Sequence, residues 1–273
     1  MKNNLDQQVV DDFGNEWDKF RQENISYESW NQYFHLFPFD ELNENSCGFD
    51  MGCGSGRWAM FIAEKVGKLN CIDPSKKALN VAKSNLKSHS NINFIEASVG
   101  NKNILETASQ DFGYCLGVLH HVPDTAEGIK SCAKLLKKGA PFLLYLYYDF
   151  ENKPIFYRYL WKLSDYVRRI TSVLPNKLKL IVAELIAFII YLPLAQISNL
   201  SEKLGINVSN FPLSDYRDKS LHFIRTDSLD RFGTRLEQRF SKQDIKQMLL
   251  DAGFSEPKFS DRTPYWVCIT RRL

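Results

Sequence analysis

No C-x-x-C pair occurs in this chain. Its six cysteines, at 47, 53, 71, 115, 132 and 268, are scattered. That excludes a redox or metal motif built on such a pair, and several of these thiols fall in apolar strands, where a free cysteine acts as a small core residue. The usage is that of a reducing compartment, and no metal site is expected. Charge of one sign is also scarce. A net charge of +3 over 273 residues gives no broad cationic field and argues against nucleic acid as a partner. The first residues, from Met1 to Asn4, open no apolar h-region, so a signal peptide is not expected and a cytoplasmic location is. Internal repeats and low-complexity segments are missing too. The length suits one large domain, or a domain with a substantial insertion.

What is present is concentrated in one short stretch. Asp50-Met51-Gly52-Cys53-Gly54-Ser55-Gly56 follows a short strand and precedes Trp58, Ala59, Phe61, Ile62 and Ala63 at helical spacing. A glycine-rich turn between strand and helix lets a ligand approach the backbone where a side chain would obstruct it. A second strand ends at Asp73, placed to accept hydrogen bonds from the two hydroxyls of a ribose. The dinucleotide pattern G-x-G-x-x-G/A would need Gly or Ala at position 57, and Arg57 stands there.

These residues resemble motif I of the class I S-adenosylmethionine (SAM) methyltransferases. Residues 111–124, with Gly117-Val118-Leu119-His120-His121, resemble the fourth-strand motif of the small-molecule branch. Residues 135–142 resemble the turn into the fifth strand. The resemblance implies a doubly wound α/β fold: a mostly parallel seven-stranded sheet with an antiparallel edge strand, SAM as cofactor, and methyl transfer to a small molecule. It also implies site residues. Gly52, Gly54, Gly56 and Gly117 would let the cofactor close to the backbone. Asp50 would orient the loop or the cofactor's amino group, and Asp73 would hold the ribose. Ser98 aligns with the adenine position, and Glu96 is the alternative on the same strand face. His120 and His121 follow the fourth strand beside the expected methyl position. Either suits proton removal from a hydroxyl or amine acceptor, with His120 preferred. A nucleic-acid methyltransferase would show N/D-P-P-Y/F after the fourth strand, where this chain reads Leu116-Gly117-Val118-Leu119. A non-catalytic SAM-binding protein is the other alternative.

Alternating patterns predict strands near 47–51, 68–73, 92–97, 112–117 and 141–148, with helices over 75–87 and 124–137. Ser241-Lys242-Gln243-Asp244 starts a last helix ending at Gly253, followed by a strand pair near 256–261 and 265–270. Three zones result: an aromatic N-terminal lid over 1–44, a core over 45–150 and 241–273, and an inserted helical cap over 151–240. Val9, Phe13, Trp17 and Phe20 recur at helical spacing. The helix packs on the sheet edge, or Phe13, Trp17 or Tyr27 faces the sulfonium, and the two readings are compatible.

The insertion carries Lys153, Arg158, Lys162, Arg168, Arg169, Lys177 and Lys179 against Asp165. An 11-residue apolar run, Leu185 to Ala195, follows. It is too short to span a bilayer, and Glu184 and Pro193 argue against extending it. Several readings stay open: a buried helix, a dimer face, the roof of a substrate pocket, or peripheral membrane contact through 153–197. Leaving the carboxyl end of the fifth strand, the cap is expected to cover the acceptor side. Tyr148, Arg225, Asp227 and Arg235 are its expected substrate contacts, suited to an anionic, sugar-like or lipid-linked acceptor.

Overall fold

The computed structural model describes residues 4–19, 26–151 and 153–273, with the side chains of 16–19 and 222 outside that description. The chain divides into two compact units, Met1–Tyr148 with Gln238–Leu273, and Asp149–Glu237.

The first unit is built on a seven-stranded sheet of order β3-β2-β1-β4-β5-β7-β6. Its strands are β1 Cys47–Met51, β2 Lys68–Asp73, β3 Ile92–Glu96, β4 Phe112–Leu116, β5 Pro141–Tyr145, β6 Lys258–Phe259 and β7 Cys268–Arg271. β1 to β5 are parallel, and β7 runs antiparallel to both β5 and β6. β4 is buried at every residue and β1 at all but Cys47. Such unbroken apolar runs are what a parallel sheet covered on both faces requires. Helices α1 Gln7–Lys19, α2 Tyr27–Phe34, α3 Ala59–Ala63, α4 Lys76–Asn85 and α5 Thr125–Leu135 accompany these strands. One face packs Trp30, Phe34, Trp58, Ile62 and Leu79 against Phe112 and Tyr114. The other packs Ile129, Ile245, Leu249 and Phe254 against Phe49 and Phe142. Caps set where the helices start. Ser75 Oγ accepts from Ala78 N at 3.4 Å, and Asp124 Oδ1 from Glu127 N at 2.9 Å. The last helix of the chain begins with the reciprocal Ser241–Asp244 box.

In the N-terminal zone Trp30 and Phe34 stack at 5.0 Å and are buried, which is the packing role. Phe20 and the Trp17 side chain lie outside the described residues. Tyr27 is exposed.

The second unit is helical: α6 Phe156–Thr171, α7 Asn176–Ile186, a π-helical turn Ala187–Tyr191, α8 Leu192–Lys203 and α9 Leu221–Gly233, after which α10 Lys242–Asp251 returns to the first unit. Here the structure departs from the sequence reading. Asn176–Lys203 is one helix of 28 residues. It is long and apolar enough to cross a membrane, and most of its apolar stretch is not buried in the protein. Proline would normally break such a helix by lacking an N–H and crowding the preceding turn. The π-helical turn opens the ladder just before it, Leu192 N–H reaching back five residues to Ala187 O, and Pro193 falls in the first turn of α8. Glu184, the other expected stop, is held by Arg225 through Nε at 2.8 Å and Nη2 at 2.5 Å.

The unit has its own core of Ile186, Ala187, Tyr191, Ala195, Tyr216, Ile224 and Phe232. The buried Arg168 guanidinium ties α6 to the end of α9. It donates to the carbonyls of Thr234 at 2.9 Å and Arg235 at 2.7 Å, and to Asp165. Carbonyls left open at a helix end are thereby satisfied.

Candidate active site

Glycine geometry builds the loop after β1. Gly52, Gly54 and Gly56 all have positive φ, at 79°, 54° and 75°. A Cβ on Gly52 would fall 2.4 Å from Val118 Cγ2, and one on Gly56 2.5 Å from Leu86 Cδ1. Side chains are therefore excluded twice, by conformation and by space. Backbone hydrogen bonds moor the loop to β2: Gly52 N and Cys53 N donate to Ile72 O at 2.7 and 3.0 Å.

Asp73 completes the mooring. Its Oδ2 accepts from Gly54 N at 2.9 Å and its Oδ1 from Ser75 N at 2.8 Å. Each carboxylate oxygen keeps a further lone pair for a ligand hydroxyl. Burial pushes this carboxyl up to about 6, opposed by the Ser75 and Gly54 N–H groups.

Asp50 is 1% exposed, and burial lifts its carboxyl to about 8. The Tyr114 hydroxyl pulls the other way but lacks the geometry of a hydrogen bond, leaving Asp50 Oδ2 and the Tyr114 hydroxyl buried without a sound partner. A buried acceptor in that condition costs stability unless something donates to it. An ammonium group would do so. The site thus fits a ligand with an amino group over the glycine turn and ribose hydroxyls at Asp73.

At the end of β4, Gly117 has φ 78° and donates to Tyr145 O at 3.1 Å. A Cβ there would meet only Tyr145, at 4.0 Å, so there is room beside this strand end. The short helical turn Leu119–His121 follows and buries both histidines. His120 stacks on Tyr147 with ring centroids 3.7 Å apart, and His121 lies 4.2 Å from His120 and 4.9 Å from Phe13. Neither ring nitrogen of His120 has a hydrogen-bond partner. Burial first, then the charges of His121 and Arg239, hold its pKa well below the usual value, so the ring is neutral. Among the described residues, Phe13 is the expected lid residue that reaches this cluster.

The remaining expected residues have the following neighbours. Ser98 is buried, and its hydroxyl donates to Asn101 Oδ1 at 2.5 Å inside a tight turn. Glu96 ends the edge strand β3 and is exposed. Tyr148 packs on Tyr265 and Trp266, with centroids 5.4 and 6.0 Å away. In the helical unit Arg225 pairs with Glu184, and Asp227 accepts from the Tyr216 hydroxyl at 2.5 Å and pairs with Arg231 at 3.0 Å. Arg235 contributes its carbonyl to Arg168. These polar groups hold helices together. Among the described residues no group of three His, Cys, Asp or Glu is placed to bind a metal ion.

Sequence reasoning missed Tyr147 and Arg239. Tyr147 rather than Tyr148 faces the histidines, and Arg239 lies 5.2 Å over its ring while donating to Tyr148 O. Strand alternation past β5, which puts Tyr145 and Tyr147 on one side, was the available signal. Tyr33 also reaches this side, its ring 5.3 Å from Tyr145 and 4.7 Å from Trp58.

The sheet order, the moored glycine turn and the acidic end of β2 together define a Rossmann-like methyltransferase fold. Residues 49–139 match the family described as "Methyltransferase domain", and this stretch is similar to the class I SAM-dependent methyltransferases. The chain is 30% identical over 138 residues to a ubiquinone biosynthesis O-methyltransferase of Nitrosospira multiformis, covering 45% of this chain and 57% of that one. The counterpart of Nitrosomonas europaea is 28% identical over 171 residues, covering 57% and 70%. The matches thus span little more than half of the Nitrosospira relative and somewhat more of the other. Magnesium protoporphyrin IX methyltransferase from Synechocystis, solved with bound SAH, superposes with TM-score 0.55 at 16% identity, over 98% of this chain and 100% of that one. An O-methyltransferase family protein from Burkholderia thailandensis gives TM-score 0.54 at 15% identity, over 98% and 60%. At such identities the structures speak for the fold alone.

Proposed function

We propose that this protein transfers a methyl group from SAM to a small-molecule acceptor, with oxygen as the acceptor atom. The observation that carries the cofactor is the buried, unpartnered Asp50 carboxylate oxygen behind a glycine turn that Asp73 holds open. When bound, SAM supplies a methyl group on a sulfonium, so the chain's task is alignment rather than activation of a leaving group. Asp50 takes the amino group, the glycine turn passes along the methionine part, and Asp73 accepts from the ribose. His120, neutral in its buried setting, or His121 accepts the proton of the acceptor hydroxyl, with Tyr147 fixing the His120 ring by stacking. The O-methyltransferase names of the sequence relatives favour oxygen. The helical unit selects the acceptor.

Calorimetry with SAM and S-adenosylhomocysteine tests the cofactor. Both should bind, and Asp73→Asn should weaken both by roughly tenfold or more through the lost ribose acceptor. Folded protein that binds neither ligand ends this reading. His120→Gln and His121→Gln should lower turnover and leave SAM affinity near that of the parent.

A further inference from the structure

The unit Asp149–Glu237 carries nearly all the exposed large apolar side chains of the described residues; outside it only Tyr27 and Leu273 are of that kind. On α6 they form one stripe: Tyr159 (66% exposed), Leu163 (64%), Tyr166 (65%) and Ile170 (51%), running on to Val173. A second stripe follows the long helix from Leu178 through Ile181, Leu185 and Ile189 to Ile197 and Leu200. Both helices pack their other sides on α9. Apolar surface on this scale is rare on a soluble monomer and marks a contact surface.

Charge decides what the contact is. Arg158, Lys162 and Arg169 each precede a stripe residue of α6 by one position and make a cationic row beside it, all three exposed. Lys177 adds an exposed cation at the start of α7. The acids beside them are Asp165, 11% exposed and already bound by Arg168 and Arg169, and Asp149, 3.8 Å from Arg158. Among the described residues this leaves Lys162 and Lys177 as the cations of this group with no such ion pair. An apolar stripe containing tyrosines, edged by Lys and Arg, is the pattern of a helix lying in a lipid headgroup region. We infer that the outer faces of α6 and the long helix seat this protein on an anionic phospholipid bilayer, lying in the interface without crossing it. Crossing is opposed by α9, whose Arg225, Asp227, Asp230 and Arg231 would enter hydrocarbon along with the helix they support. A second copy in the same place would set one cationic row against another across a two-fold axis. A negatively charged leaflet attracts that row instead.

The inference concerns the surface and stands apart from the methyl-transfer reading. The full chain is floated with vesicles of phosphatidylglycerol and phosphatidylcholine, and with phosphatidylcholine alone. It should float with the anionic vesicles and bind neutral ones, or anionic ones in high salt, about tenfold more weakly. Leu163→Glu with Ile189→Glu should abolish flotation while SAM affinity and circular dichroism stay those of the parent. Lys162→Glu with Lys177→Glu, a second exposed pair, should cut binding to anionic vesicles to the neutral level. Folded parent protein that stays at the bottom of the gradient overturns the inference. So does flotation indifferent to both pairs of changes, or a dimer in light scattering that the Leu163/Ile189 change splits.

Discussion

Burial raises the pKa of the Asp50 carboxyl. Its folded value of about 8 lies above that of an unfolded aspartate, about 4. Between those values the folded chain keeps a proton that the unfolded chain has released, so in this window stability falls as pH rises. An ammonium group over Asp50 would expel that proton. SAM binding at pH 7 should therefore release about one proton, visible as a dependence of the calorimetric heat on buffer ionisation enthalpy. Asp50→Asn should remove the dependence and lower affinity by about tenfold to a hundredfold. Heat that does not vary with buffer counts against an amino group at this position. Gly52→Ala should cost about 2 kcal/mol or more in denaturant melts, since it combines a left-handed conformation with a collision at Val118. These residues were legible in the sequence because backbone need is written locally: glycine where φ is positive, an acid where a strand stops. The aromatic lining was not. Whether Tyr147 or Tyr148 faces the histidines depends on where β5 leaves the sheet, and the apolar run 141–148 hides that end, which falls at Tyr145.

At the scale of elements, capped helices and buried strands followed their patterns closely, because caps and apolar runs act over a few residues. Polar groups of α9 were harder to place. Arg225 and Asp227 read as well for a pocket wall as for a solvated face, and the structure shows them tying α7 and the Ser214–Tyr216 turn to α9. The half-exposed Arg225–Glu184 pair contributes about 0.5–1 kcal/mol. Arg225→Ala and Glu184→Ala should lower the melting temperature alike, with a double-mutant coupling of that size and SAM affinity untouched. If Arg225 worked only on substrate, Glu184→Ala would leave stability unchanged.

The chain leaves the first unit after Tyr148 and re-enters it at Gln238. Tyr148 and Phe240 form a parallel bridge, and Gln238 N donates to His120 O at 3.0 Å. Replacing residues 149–237 by a short Gly/Ser linker should therefore leave the first unit folded, since closing so short a gap costs little. Calorimetry should find SAM affinity within about threefold of the parent, and acceptor methylation should be lost. A truncated protein that methylates the same acceptor would remove substrate choice from the helical unit. In the sequence, the strict alternation of strand and helix stops after Tyr148.

The π-helical turn at Ala187–Tyr191 sets the phase of everything after it. In an uninterrupted α-helix each residue turns the chain by about 100°. Leu178 and Leu204 would then end up about 80° apart around the axis. The extra residue in the widened turn absorbs nearly all of that, bringing Leu178, Leu185, Ile189, Ile197 and Leu204 onto one outward line. The same slip aligns Lys179, Ala183, Ala187, Tyr191, Ala195 and Ser198 on the buried side. Without Ile189 the turn would rewind to an ordinary α-helix with α8 in its present phase, whereas rewinding it with every residue kept would rotate α8 by about 100°. In the second case Ile197 and Leu200 would swing toward α9, and Ser198 and Ala195 toward solvent. One residue thus works as a gear tooth, letting a helix of 28 residues keep the same inside and outside from end to end.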